Sequence, residues 1–331
     1  MSTPVAIGLS AVVVAVQAGE ALALTVRPRN GAALAGLPSG PFDPAGHRTF
    51  ELALRAFVTE QTGFELGYVE QLYTFGDEGR DAPLADLGRR PGPGLADERV
   101  VSIGYLALTS KAVETPKAEG AAWSPWSRFF PWEDWRNGRP AGLDETIGPS
   151  LRDWAGRGQE GERRLARARL LFALDGAPWN EERVLDRYEL LYEAGLVPEA
   201  GRDRALARGE LAPALTGSPA FGLPMASDHR RILATGLARL RGKLKYRPVA
   251  FELMGAAFTL SDLQRTVEAI AGVALHKQNF RRMVERTGLV EGLGRLQVDT
   301  GGRPAELFRF RREAVSTLPA SGLSLPLLRD A

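Results

Sequence analysis

Residues 5–16 are apolar except for Gly8 and Ser10, Gln17-Ala18-Gly19-Glu20 interrupts, and a second apolar run, broken only by Thr25, covers residues 21–26. The first run is too short for a bilayer span of about 20 residues. No basic residue precedes it, so the pattern predicts two strands of a hairpin rather than a signal peptide. A third strand-like run covers residues 99–108. Helical spacing appears at 49–62, where Phe50, Ala53, Leu54, Phe57 and Val58 recur every three or four positions and Gly63 follows. Residues 81–97 are rich in Gly and Pro and read as a loop. The stretch 123–135 holds Trp123, Trp126, Trp132 and Trp135 with Pro125 and Pro131. It is expected to be irregular and to pack against the first domain. Residues 1–140 thus read as mixed α/β.

Beyond residue 140 the period becomes helical. Residues 162–174 and 181–196 have helical apolar spacing, with Asn180 as the predicted N-cap of the second. Residues 217–224 read as a linker, which makes 141–228 a helical connecting segment. Ser227-Asp228 then opens a helix running to about Tyr246, where Pro248 stops it. Thr259, with Asp262 three residues on, opens another, lined inside by Leu260, Leu263, Val267 and Ile270 and closed by Gly272. A third covers 276–287 and ends at Gly288. Two short apolar runs, 289–291 and 307–310, flank a Gly-rich segment. Three helices and a hairpin give a winged helix-turn-helix pattern over 229–315, with 316–331 left as a tail.

Composition narrows the chemistry. The 331-residue chain has no cysteine and only His47, His229 and His276. Disulfides, thiolate metal sites and a cysteine nucleophile are excluded, and no metal site is expected. With no membrane span, a cytoplasmic protein is expected. Charge is uneven: between Arg230 and Arg312 stand 17 Lys and Arg against 7 Asp and Glu, inside a chain whose net charge is +2. A basic C-terminal module beside an acidic remainder points to a polyanionic partner.

The third C-terminal helix gives that partner a reading face. Phe280 and Val284, one turn apart, form its buried side. Lys277, Gln278, Arg281, Arg282 and Glu285 fall on the opposite arc. Arginine bonds both O6 and N7 of guanine, and glutamine pairs with adenine in the major groove. At the wing, Asp299-Thr300-Gly301-Gly302-Arg303-Pro304 puts Arg303 at a tight turn, in reach of a phosphate or a minor groove. His276, at the start of the helix, is a further candidate for phosphate contact.

The first domain carries a second pattern. Leu37-Pro38-Ser39-Gly40, a helix, and Glu60-Gln61-Thr62-Gly63-Phe64 resemble the Nudix box. Aligned on Gly63, the arginine slot holds Ala56, and the three acidic slots hold Phe57, Glu60 and Gln61. Nudix hydrolysis needs several carboxylates to hold Mg²⁺ against a pyrophosphate. Two of the three acidic positions are lost, so no catalytic residue is assigned and no enzyme is expected.

Other segments are similar to Nudix-related transcriptional regulators of NAD metabolism (NrtR-like proteins). They are Leu72-Tyr73-Thr74-Phe75-Gly76-Asp77-Glu78-Gly79-Arg80-Asp81, the strand run 99–108, Lys243-Leu244-Lys245-Tyr246, residues 258–264, Asn279-Phe280-Arg281-Arg282, Gly302-Arg303-Pro304-Ala305 and Phe308-Arg309-Phe310. The resemblance covers roughly 1–135 and 229–312. The long middle segment looks more like the alphaproteobacterial NAD regulator group (NadQ-like), which represses genes of de novo NAD synthesis. The implied fold is an α/β Nudix-like sandwich domain over 1–140, a helical middle and a C-terminal winged helix-turn-helix.

The implied partners are double-stranded operator DNA, a second copy of the chain in a homodimer, and a nucleotide effector: NAD, ADP-ribose or ATP. No cofactor is required. Arg80 and Arg99 are candidate effector contacts, since phosphates suit arginine forks, and Tyr73 and Phe75 are candidate adenine-stacking rings. The readings left open are a ligand-responsive repressor, a Nudix-type dinucleotide pyrophosphatase acting on ADP-ribose or NAD, and an interaction scaffold built on the helical middle.

Overall fold

The computed structural model describes residues 5–27, 34–77, 80, 99–110, 118–157, 159–297 and 304–316. The expected loop at 81–97, the wing tip with Arg303, and all but the first residue of the tail lie outside these. Strands β1 (Val5–Gln17), β2 (Glu20–Val26), β3 (Ser39–Pro41), β4 (Tyr68–Phe75), β5 (Arg99–Leu108) and β6 (Ala121–Pro125) make one sheet. Their order is β4-β5-β1-β2-β6, with β3 also paired to β1. β1 and β2 form the expected hairpin: Gln17 faces Glu20 across Ala18 and Gly19, whose φ values of 50° and 77° suit a tight two-residue turn. β1 and β5 are parallel, from Val5 opposite Arg99 to Val14 opposite Leu108.

β1 is central and covered on both faces, which explains its nearly unbroken apolar run. Leu9, Ala11 and Val13 pack with Ala53, Leu54 and Val58 of α1 (Phe50–Thr62). Thr49 caps that helix by accepting from Leu52 N, and Gly63 ends it in the left-handed conformation. Val12 and Val14 join the core on the other face. That face is covered by α6 (His229–Tyr246), through Ile232, Leu233, Leu237 and Leu240. A Cβ on Gly236 would come within 2.8 Å of Val12 Cγ1, so only glycine lets the helix lie this close to the strand.

The position of α6 differs from the sequence division at 228/229, which gave this helix to the C-terminal module. Its basic residues also have a different use. Arg230 meets Glu199, Arg231 meets Asp77, Asp228 and Glu189, and Arg239 and Lys243 meet Glu70. Arg241 meets Glu133, and Lys245 meets Glu181 and Glu182. Much of the positive charge counted from Arg230 onward therefore binds this helix to the acidic remainder. Over residues 250–312 the balance is 10 Lys and Arg against 7 Asp and Glu.

The middle segment forms α2 (Gly148–Gly156), α3 (Gly161–Phe172), α4 (Val184–Glu193) and α5 (Pro198–Ala207). The two predicted helices correspond to α3 and α4. Asn180 caps a preceding turn instead of α4, accepting from Glu182 N at 3.0 Å. Residues 217–224 do not run free. Ser218 and Gly222 bridge each other, and Leu223 N donates to Arg128 O at 2.8 Å. Ser227 and Asp228 do not cap α6 with their side chains; Asp228 is drawn instead to Arg231 at 3.3 Å.

The tryptophan stretch is only partly irregular. β6 pairs with β2, placing Trp123 opposite Leu24, and two helical turns follow, with Trp126 and Trp132 buried. Beyond α6 come α7 (Leu260–Ala271), α8 (Lys277–Thr287), β7 (Val290–Gln297), the antiparallel β8 (Ala305–Phe310) and a short helical turn, Arg312–Ser316. One contiguous core runs from Val12 and Leu106 of the sheet, through Tyr188 and Leu240, to Phe280 and Val284 of α8. Among the described residues no helix is long and apolar enough to cross a membrane.

Candidate DNA-reading face and ligand-facing residues

The C-terminal unit is built from its caps outward. Thr259 Oγ1 accepts from Asp262 N at 3.1 Å, while Thr259 N donates to Asp262 Oδ2 at 3.0 Å. Burial raises the Asp262 carboxyl, but the Thr259 bonds and Arg265 outweigh it and hold the group below its ordinary value. The α7–α8 turn is fixed from inside: Leu275 N donates to Glu268 Oε1 at 2.8 Å, and Gln264 Nε2 donates to Leu275 O at 2.9 Å. β8 is tied to the entry of α7 by two backbone bonds between Phe308 and Phe258, at 2.8 and 3.0 Å. Phe251 stacks on Phe310 with ring centres 4.3 Å apart. The hairpin is thus anchored to the helices beside it.

On α8, Phe280 and Val284 are fully buried. His276, Lys277, Gln278, Arg281, Arg282 and Glu285 are exposed. The side opposite the core is therefore a single solvent-facing arc that is cationic and rich in hydrogen-bond donors. Arg303 lies outside the described residues. On the described part of the wing, Arg309 is paired with Glu291 at 2.8 Å.

The four candidate effector residues separate. Tyr73 is 61% exposed on β4, whereas Phe75 is 2% exposed. Phe75 is a core ring, with the Arg231 guanidinium 5.3 Å from its centre, and has no open face for an adenine. This corrects its assignment as a stacking residue. Arg80 is buried and its fork is filled by Glu189 of α4, at 2.9 and 3.0 Å, above the Tyr192 ring. Arg231 Nε shares the same Glu189 at 2.6 Å. Asp228 beside them is pushed up to about 7 by burial, against the pull of Arg231 and Arg80. Arg99 opens β5 opposite Val5.

The Nudix-box positions have evident structural work. The Phe57 ring lies over Gly40, where a Cβ would come within 2.7 Å of it. Gln61 clamps the backbone of β3: Ser39 N donates to Gln61 Oε1 at 3.0 Å, and Gln61 Nε2 donates to Ser39 O at 2.6 Å. Glu60 is exposed and Glu51 is paired with Arg55. An aromatic ring and an engaged amide do not suit a Mg²⁺ site, which demands several free oxygen ligands. Among the described residues no cluster of three or more His, Asp or Glu could hold a metal ion.

Sequence reasoning missed the use made of His229. Its Nδ1 accepts from Leu37 N at 3.0 Å, and its Nε2 lies 3.4 Å from Ser10 Oγ. Burial, with Arg202 nearby, lowers its pKa to about 4. A lone histidine at a helix start carries no sequence signal for such a long-range bond.

Residues 250–310 match the family described as the NrtR DNA-binding winged helix domain. A relative from Acinetobacter baylyi, "ADPR responsive transcriptional repressor NtrR", is 38% identical over 96 residues. That match takes in 29% of this chain and 38% of the relative's length. The crystal structure of Shewanella oneidensis NrtR complexed with a 27mer DNA is similar at a TM-score of 0.54 and 20% identity. It covers 94% of this chain and 95% of that one. A MutT/nudix family protein from Enterococcus faecalis is similar at a TM-score of 0.51 and 15% identity, over 94% of this chain and 88% of that one. The chain therefore shares the overall fold of these two structures, and its residues 250–310 match the NrtR winged helix family.

Proposed function

We propose that this protein is a ligand-responsive transcriptional repressor of NAD biosynthesis genes, and that the Nudix-type domain binds its effector without hydrolysing it. The observation that carries this reading is the exposed arc of α8, backed by the buried Phe280 and Val284, inside a segment matching a DNA-binding winged helix family. Lys277, Gln278, Arg281 and Arg282 would read the major groove, with His276 and Arg303 on the backbone or minor groove. Two copies would bind a two-fold operator with half-sites about 34–36 Å apart, or multiples of that.

ADP-ribose is favoured over NAD and ATP because the Acinetobacter relative is named as ADPR responsive. Phe57 over Gly40 and the engaged amide of Gln61 support binding without turnover. Among Tyr73, Phe75 and Arg80, Tyr73 is the one that stands open. Arg80 would reach an effector only by giving up Glu189.

The test is fluorescence anisotropy on duplexes from upstream of the gene and its neighbours, with ADP-ribose, NAD and ATP each titrated in. One promoter duplex should bind tightly, and one nucleotide should change that affinity by about 5- to 150-fold. Brisk Mg²⁺-dependent hydrolysis of ADP-ribose or NAD, abolished by Glu60→Gln, would replace this reading with the pyrophosphatase one.

A further inference from the structure

We infer that the buried triad Glu133–Arg187–Arg241 is the joint that sets the α7–α8 unit on the sheet domain, and that the helical middle segment completes it by supplying Arg187. The regulatory consequence rests on the repressor reading; the mechanical claim does not.

Glu133 stands on the second helical turn after β6, Pro131–Glu133, with Arg187 on α4 and Arg241 on α6. Their side chains are 1%, 0% and 0% exposed. Arg187 grips both carboxylate oxygens of Glu133, Nε at 2.6 Å and Nη2 at 2.8 Å. Arg241 Nη1 donates to Glu133 Oε2, and Arg241 Nη2 donates to Glu133 O at 3.1 Å. Burial alone would raise the Glu133 carboxyl; the two guanidiniums hold it below its ordinary value.

Two positive charges against one are tolerable here because carbonyls take up the remaining donors. Arg187 also reaches Leu171 O and Asn180 O, at 3.2 and 2.8 Å, and lies 3.8 Å from the centre of the Trp179 ring. Arg241 Nη1 also reaches Glu181 O at 2.9 Å.

The link to the reading unit is direct. Arg241 Nε donates to Ile270 O, in the last turn of α7, at 2.8 Å. Trp135 N donates to Gly272 O at 2.7 Å. Gly272 has a φ of 71°, and a Cβ there would come within 2.2 Å of Glu133 O. The turn from α7 into α8 is thus held by Arg241 and by the 133–135 segment. Apolar side chains of similar volume could fill such a site with little loss of stability. What charges add is direction, since each guanidinium bond fixes an angle as well as a distance. A shift of the middle segment or of the turn after β6 would therefore be passed to the base of α8.

The test compares the full chain with the triple variant Glu133→Leu, Arg187→Met, Arg241→Met. Because the chain has no cysteine, spin labels can be placed at Glu60→Cys on α1 and Glu285→Cys on α8, for the distance measurement alone. The parent should give one narrow distance distribution. The triple variant should unfold cooperatively, yet give a distribution at least about twofold wider, since a joint that loses its directional bonds samples more orientations. Without the labels, its operator affinity should stay within about 3-fold of the parent, while the ADP-ribose effect falls below about 2-fold.

An unchanged width, or an unchanged ADP-ribose effect, overturns the inference. Should the triple variant fail to fold, Arg187→Met alone is read the same way: broadening supports the joint and an unchanged width refutes it. If the parent ignores both DNA and ADP-ribose, the repressor reading fails, and the distance measurement still decides the joint.

Discussion

At the scale of single residues, His229 makes the sharpest claim. Its folded pKa is about 4, against an ordinary 6.5. The unfolded chain then binds more protons between these values, so stability is full above about 6.5 and is lost as pH falls towards 4. Relative to His229→Gln, the natural protein should lose about 2 kcal/mol between pH 7 and pH 5, at about 1.4 kcal/mol per unit. Urea unfolding at the two pH values measures it, and parallel losses in both proteins would remove His229 from the account. On α8, Arg281→Ala or Arg282→Ala should each weaken operator binding by about 1–3 kcal/mol if the side chain reads a base. If neither moves the anisotropy curve, the recognition helix is misassigned. The exposed arc was legible because helical period alone separates it from Phe280 and Val284. Phe75 was not, since a strand residue beside an exposed tyrosine is written the same way whether its ring is buried or open. Arg80 hid its partner for another reason: Glu189 lies 109 positions away.

At the scale of elements, α7 tests the value of local signals. Its Thr259–Asp262 capping box was readable from spacing and is present. Thr259→Ala should cost about 1 kcal/mol. In thermal unfolding of the whole chain that is a drop of about 1–2 °C; no drop would mean the cap is redundant with the Phe258–Phe308 bonds. β1, β2, β5 and α1 were legible from their long apolar patterns, with Gly19 marking the turn between β1 and β2 and Gly63 closing α1. β4 and β6 were not. β4 is an edge strand with Glu70, Gln71 and Tyr73 interspersed, and its pairing with β5 shifts register between Gln71 and Thr74. β6 is five residues long and ends in proline. α2 and α5 escaped because each is short, nine and ten residues.

At the scale of the whole molecule, the charge count misled in one respect. Arg230, Arg241 and Lys243 looked like part of a polyanion-binding surface, yet they join α6 to Glu199, Glu133 and Glu70. Composition cannot distinguish a cation facing solvent from one facing an internal carboxylate. On the repressor reading, DNA affinity then rests on α8 and the wing more than on net charge. It should still fall with salt, by about 0.9 log units per tenfold rise for each phosphate neutralised. A titration between 50 and 200 mM NaCl should show a loss of at least about 100-fold for a dimer making several such contacts. A flat curve would exclude backbone binding and favour the scaffold reading.

The clamp between Gln61 and Ser39 also bears on how this sequence can change with time. Its amide gives to one backbone atom of the β3 residue and takes from another. A glutamate in that place would keep one of those bonds and set a negative oxygen against the Ser39 carbonyl, at a cost of about 1–3 kcal/mol. A lineage that began to restore acid groups at this turn would thus meet its first setback in foldedness, before any gain in chemistry could be selected.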